Sequence, residues 1–213
     1  MHKVKTHRVA AVSVKIATQK ESFQEFKAEK KAAKEEFYGE IEGVCDESKL
    51  KTPLLLLFAT DLNGEKELVD RELLFRVLEG CRVLKLKVVV VDTQEPGEKF
   101  SQHHDITWLN PTTAFRKKSS GQKEIDRLFL AADMALVFSA HSDLMRLLMS
   151  YGVVLLAKDQ SPILESYHPN TEEGNSFLFD EYDAWAIFAT LVRATETYRF
   201  PFDWSHIVRG LVK

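Results

Sequence analysis

The chain has 213 residues, of which 45% are hydrophobic and 29% charged, with a formal net charge of −3. This is enough for one substantial core, while the balance of charge offers no basic excess for nucleic acid and no apolar run approaches the roughly 18 residues of a membrane span. Cys45 and Cys81 are too few for a disulfide framework at this length, so both read as free thiols of a reducing, cytoplasmic compartment.

Residues 1–20 carry five Lys or Arg and no acid. An organelle transit peptide can have this composition, but there is a single Arg, and Val12, Val14 and Ile16 alternate with Ser13 and Lys15, which favours a strand or an ordered arm. Residues 20–40 are rich in Lys, Glu, Ala and Phe. Phe23, Phe26, Ala33 and Phe37 recur at spacings near three and four, the pattern of an amphipathic helix. Its apolar stripe either covers a sheet or is left for a partner. Residues 1–50 are thus an arm plus helix, and 51–213 the main domain.

Gly43 to Thr52 reads as a polar connector. Leu54–Ala59 is a continuous apolar run, as expected of a parallel strand covered on both faces. Residues 67–80 are a helix, with Leu74, Val77 and Leu78 on the face shared with Cys81. Val88–Val91 is a second buried strand, and Pro96-Gly97 marks the loop after it. Ile106–Leu109 is a third strand, followed by a basic loop containing Arg116, Lys117 and Lys118. A helix over 123–132 leads to a strand at Met134–Phe138. Residues 141–150 form a helix with Leu144, Leu147 and Leu148 inward, and Val153–Leu156 is the next strand. Ser161-Pro162 has the form of a helix start, a capping Ser before Pro in the first turn. Phe177–Phe179 is a last short strand. A long helix over 183–198 carries Ile187, Leu191, Ala194 and Tyr198 on one stripe, and a final helix follows Asp203.

Short apolar strands alternating with helices predict an α/β, Rossmann-like, three-layer domain with a mostly parallel sheet. Such folds bind ligands in the crevice at the carboxyl ends of the strands, where strand order reverses. The loops after Ala59, Asp92, Leu109, Phe138 and Leu156 are therefore the places for chemistry. His103-His104 beside Asp105 has no matching Cys or carboxylate spacing for a metal, and reads as an exposed loop pair.

Several segments resemble glycogen and starch synthases in order. KAEKKAAKEEFYGE leads to TPLLLLFA. Ala132-Asp133-Met134 leads to Val137-Phe138-Ser139. Tyr151-Gly152 precedes a strand. Gly174, Phe177–Phe179 and the acidic turn Asp180–Asp183 precede the long helix, and Trp204 lies near the start of the terminal one. The resemblance spans residues 25–213 and implies one half of a GT-B glycosyltransferase fold, the C-terminal half that normally holds the nucleotide sugar. The half that normally supplies acceptor contacts and part of the catalytic site is not in this chain.

The resemblance implies donor or phosphate contacts at Asn63, Gly64 and Lys66 after the first strand, at Ser139 and His141 after the fourth, and at Ser161 after the fifth. It also shows departures. Asp61 stands where the family has an Arg for the diphosphate, and Glu67 where it has a Gly. The loop after Ser139 is short and lacks the Glu-Pro and Gly of the family. Asp159-Gln160-Ser161-Pro162 replaces a Gly-Gly pair at a helix N-terminus, a place where free N–H groups suit phosphate. Trp108 is a candidate for stacking on a base or for burial at a strand end. No residue is assigned a catalytic role, and no cofactor or metal is expected. The expectation is a lone C-terminal-type domain that lacks catalysis and binds a protein or a glycan. The alternative is the donor-binding half of a split glucosyltransferase using ADP-glucose or UDP-glucose, its partner a separate glycosyltransferase N-terminal domain. No nucleic-acid or membrane partner is expected.

Overall fold

The computed structural model describes residues 23–43, 45–94, 104–114, 121–138, 142–158 and 160–212. The expectations for residues 1–20, Pro96-Gly97, His103, Arg116 to Lys118, Ser139 and His141 lie outside the described residues.

Five consecutive apolar residues, Leu54–Phe58, form the central strand β1, buried at every position. A run of this kind is stable only where both faces of a sheet are covered. The other strands are β2 (Lys87–Val91), β3 (Ile106–Leu109), β4 (Met134–Val137), β5 (Val154–Lys158) and β6 (Ser176–Phe179). They form one sheet of order β3-β2-β1-β4-β5-β6, with every neighbouring pair parallel. Chain order reverses between β1 and β4, which places the ligand crevice of such a fold at their carboxyl ends.

The helices are α1 (Phe23–Glu42), α2 (Glu47–Lys51), α3 (Arg71–Val83), α4 (Pro111–Ala114), α5 (Gly121–Ala131), α6 (Ser142–Ser150), α7 (Ala184–Tyr198) and α8 (Pro201–Leu211). Successive strand residues face opposite sides. Leu55 and Leu57 therefore join Leu74, Leu78, Ile187, Leu191 and Ile207 on one side. Leu54, Leu56 and Phe58 join Phe37, Phe129, Leu148 and Tyr151 on the other. Both cysteines are free, and burial pushes the Cys81 thiol up to about 12.

The apolar stripe of α1 covers the fold: Phe26, Ala33 and Phe37 are buried. Two of its lysines, the buried Lys34 and the half-buried Lys30, donate to the ends of other elements. Lys30 Nζ donates to the carbonyls of Leu130, Ala132 and Tyr151 at 3.1, 2.7 and 3.0 Å. Lys34 Nζ donates to the Leu50 and Thr52 carbonyls and to Asp133 Oδ2 at 3.1, 2.7 and 2.6 Å. These satisfy carbonyls that helix ends and strand starts leave without partners. Arg127 adds outer pairs to Glu36 and Glu40 at 2.8 and 2.7 Å.

Four expectations need correction. The connector 43–52 contains α2, capped by Asp46, whose carboxylate accepts from Lys49 N at 2.9 Å. The helix expected at 67–80 begins at Arg71, where Asp70 accepts from Glu72 N and Leu73 N at 2.9 and 3.0 Å. The terminal helix begins at Pro201 rather than after Asp203, because Pro occupies its first turn. No helix starts at Ser161-Pro162: the segment forms a turn and then pairs with the start of β6. Tyr167 N donates to Ser176 O at 2.8 Å, and Asn175 bonds Glu165 N and Ile163 O at 2.9 and 3.0 Å. That pairing holds the chain extended where a helix would need it coiled.

Candidate functional site at the carboxyl edge of the sheet

The crevice is bounded first by the loop from Ala59 to Asp70. Ala59 N and Thr60 N both donate to Val91 O, at 3.0 and 3.2 Å, which carries the chain beyond β1 alongside β2. The loop then folds on itself. Thr60 bridges Glu67, Asp61 N donates to Lys66 O at 3.0 Å, and Leu68 N to Ala59 O at 2.8 Å. The Asp61 carboxylate faces inward and accepts from Glu65 N and Lys66 N at 2.8 and 3.2 Å. Gly64 closes the turn at φ +72 against Thr93, Pro111 and Thr112; a Cβ there would lie 2.8 Å from Thr112 Cγ2. Asn63, Gly64 and Lys66 thus share one loop, with Asn63 and Lys66 exposed. Lys66 is not at a helix start, the place its sequence context implied, but one strand of this small hairpin.

A cation that sequence reasoning passed over lies next to it. Arg71, the first residue of α3, sends Nη1 to Asp92 Oδ2 at 2.5 Å. Its Nε and Nη2 reach Gln94 Oε1 at 2.9 and 2.7 Å. Gln94 Nε2 donates in turn to Glu67 Oε1, and Asp92 Oδ1 accepts from Gln94 N at 3.1 Å. The guanidinium also lies 5.9 Å from the Trp108 ring centroid, so the half-buried Trp108 stacks on an arginine. The signal for Arg71 was an Asp cap followed by Arg where a helix opens at a carboxyl edge. Two buried polar atoms of this edge, Thr60 Oγ1 and Trp108 Nε1, have no hydrogen-bond partner.

Across the crevice, Tyr182 covers the ends of β4 and β6. Its hydroxyl donates to Phe138 O at 2.9 Å, its ring packs on Phe138 and Phe179, and Lys158 Nζ lies 5.0 Å from its centroid. Burial raises the Tyr182 phenol. Ser161 is buried, and its carbonyl accepts from Leu164 N at 3.1 Å. Without a helix behind it, Ser161 lacks the free N–H groups and dipole that would draw a phosphate.

The edge therefore has cations, but the geometry commits most of them. A leaving diphosphate is stabilised by donors aimed at its developing charge. Arg71 is aimed at Asp92 and Gln94, and Lys158 lies over Tyr182. Lys66 projects into solvent from a loop whose carboxylate is spent on its own backbone. Among the described residues no group of three or more His, Cys, Asp or Glu is placed to hold a metal ion, and no helix is long and apolar enough to cross a membrane.

Replacing Asp61 by Ala strands two backbone donors and loosens this loop. The expected cost is about 1 kcal/mol, with amide exchange accelerated across residues 61–67 and unchanged in β1. Hydrogen-exchange mass spectrometry reads both.

No protein-family model matches the chain. A glycogen synthase of Gloeobacter violaceus is 34% identical over 67 residues, which is 30% of this chain and 15% of that enzyme. Among solved structures, the catalytic domain of starch synthase IV from Arabidopsis thaliana, bound to ADP and acarbose, superposes with a TM-score of 0.65. It is 14% identical, and the match covers 94% of this chain and 42% of that one. WaaG, a glycosyltransferase involved in lipopolysaccharide biosynthesis, gives a TM-score of 0.51 at 16% identity over 84% of this chain and 46% of that one. The chain thus spans less than half of each of these proteins. Its fold is one half of a GT-B glycosyltransferase, with glycogen synthase similarity over part of its length.

Proposed function

We propose that this chain is a glycogen/starch synthase-like C-terminal-type domain that does not transfer sugar and acts as a protein- or glycan-binding module. The observation that carries this reading is the Asp61 loop. Where the related enzymes need positive charge against a diphosphate, this chain puts a carboxylate, and the carboxylate closes the loop. The neighbouring Arg71 is neutralised by Asp92. A binding surface is available elsewhere: Trp185, at the start of α7, is 77% exposed and meets Phe188 edge-on at a centroid distance of 6.3 Å. An exposed ring of this kind suits stacking on a sugar or anchoring a partner protein.

Two measurements test the reading. Incubation with ADP-glucose or UDP-glucose and a glucan acceptor is expected to give no elongated product; glucosyl transfer by the isolated chain sinks the proposal. Electrophoresis through glycogen-containing gels then separates its two forms. Retardation that Trp185→Ala abolishes identifies a glycan module, and unaltered mobility leaves a protein partner.

The second reading is the donor-binding half of a split glucosyltransferase. It is supported by the sheet order, which places the β1/β4 crevice where such folds hold ligands, and by the exposure of Lys66 at its rim. It predicts calorimetric binding of ADP-glucose or UDP-glucose once a separate glycosyltransferase N-terminal domain is added, weakened by Lys66→Ala. No heat of binding with or without that domain counts decisively against it.

A further inference from the structure

A second concavity lies on the opposite edge of the sheet. The backbone groups around it, Ala132 and Tyr151 just ahead of β4 and β5 and Thr52 just ahead of β1, mark it as the amino edge. The cavity measures about 560 Å³, within the ~300–1,000 Å³ usual for small-molecule sites. It opens between α1, the end of α7 and the start of α8. Phe23, Pro201, Trp204 and Val208 give it apolar and aromatic walls.

Its charge is one-sided. Lys27, Lys30, Lys31, Lys34, Lys51 and Arg199 all line it, against a single carboxylate, Asp133. That carboxylate is already engaged by Lys34 and by Leu54 N at 2.6 and 2.8 Å. Lys30 and Lys34 form the floor, each held by carbonyls. Lys27, Lys31, Lys51 and Arg199 stand exposed at the rim, where Glu35 lies 3.6 Å from Lys31 and Glu196 2.7 Å from Arg199. The amino end of α8 opens here with no side-chain cap, which adds the positive end of a helix dipole. Asp203 in its first turn acts on Tyr167 instead, whose phenol is raised chiefly by burial and then by that carboxylate. Burial pulls the Lys30 ammonium down to about 8; Asp133 offsets part of this and Lys34 adds to it.

We propose that this cavity binds a small anion, a phosphate monoester carried on a compact apolar or aromatic body. The rim cations take the phosphate and the aromatic wall takes the body. Fields focused in a cleft of one sign recruit ligands of the opposite sign. A loop of the chain's own making is a poorer occupant, since residues 1–22, which lead into Phe23, carry five Lys or Arg against one Glu and have the wrong sign. The site is separate from the carboxyl-edge crevice, so it stands or falls independently of the proposed function.

The test uses the full chain and phenyl phosphate, with phenol and inorganic phosphate as partial probes, followed by calorimetry and by amide chemical shifts. Phenyl phosphate is expected to bind saturably, more tightly than either partial probe, and to weaken as salt rises. The double variant Lys31→Gln/Lys51→Glu is expected to bind roughly tenfold more weakly at an unchanged melting temperature, because both side chains are exposed. Lys66→Ala is expected to change nothing. Absence of saturable binding, equal binding by the double variant, or loss of binding in Lys66→Ala each overturns the proposal.

Discussion

Asp133→Ala will lower the stability of the fold by about 3–5 kcal/mol, the range for removing one partner of a buried ion pair. In urea denaturation this appears as a lower midpoint at unchanged slope. The carboxylate joins three parts of the molecule. Oδ2 accepts from Lys34 Nζ of α1 at 2.6 Å and from Leu54 N at the start of β1 at 2.8 Å, and Asp133 itself leads into β4. Lys34 also donates to the Tyr198 hydroxyl at the end of α7, at 3.2 Å. Burial, with Asp133 adding to it, raises the Tyr198 phenol, so that side chain stays neutral. The substitution leaves the buried Lys34 ammonium without its counter-charge and the buried Leu54 N–H without its acceptor. Replacing both partners, as Lys34→Met with Asp133→Leu, is expected to recover part of the loss, because the unpaired Lys34 ammonium is then gone. Asp133 lies at the amino edge, so its effect is on stability and not on ligand binding in the crevice.

Gly152→Ala will cost about 2–5 kcal/mol, from roughly 1–2 kcal/mol for a left-handed L-residue and a further overpacking cost of about 1–3 kcal/mol. For a chain of this size the melting temperature is expected to fall by about 4–20 °C in calorimetry. Gly152 lies at φ +65 and ends α6: Gly152 N donates to Met149 O at 2.8 Å and Val153 N to Leu148 O at 3.1 Å, a left-handed helix terminator. A Cβ there would meet Phe26 Cζ at 2.8 Å and Val208 Cγ1 at 3.0 Å. The preceding Tyr151 donates its hydroxyl to Asp126 at 2.5 Å, and its carbonyl accepts from Lys30. The Tyr-Gly pair therefore fastens α1, α5, α6 and α8 at one point. If the cost were only conformational, Asn, which tolerates this backbone, would restore stability; the contacts with Phe26 and Val208 predict that it does not.

Several parts of this arrangement were legible in the sequence. The runs at Leu54–Ala59, Val88–Val91 and Met134–Phe138 were readable as parallel strands because strands covered on both faces carry no polar alternation. The buried face of α3 followed from the spacing of Leu74, Val77, Leu78 and Cys81, all of which are buried. The start of α3 is set by Asp70, an ordinary cap that the spacing of the apolar residues does not mark. Ser161-Pro162 has the local chemistry of a helix start, and only its pairing with Asn175 and Ser176 overrides it.

The candidate site was less legible. In the sequence Asp61 stands out only as a departure from the family's Arg, whereas its carboxylate holds the backbone of its own loop. Lys30 and Lys34 sit in a Lys-rich helix that reads as a solvated face, yet both are drawn in by carbonyls at the ends of other elements. Arg71 is marked in the sequence only by the capping Asp70 before it, and its tie to Asp92, 21 positions on, comes from the fold.

By itself the sequence determined the alternation of strands and helices, hence an α/β sheet, because apolar periodicity is a property of neighbouring residues. Only the tertiary structure decided which charges are free to meet a ligand. An ionic group's partner is selected by space: Lys34 and Asp133 are 99 positions apart, and Arg71 and Asp92 are 21 apart. Over such separations, whether a lysine or an arginine is a ligand contact or a structural fastening depends on how the layers stack.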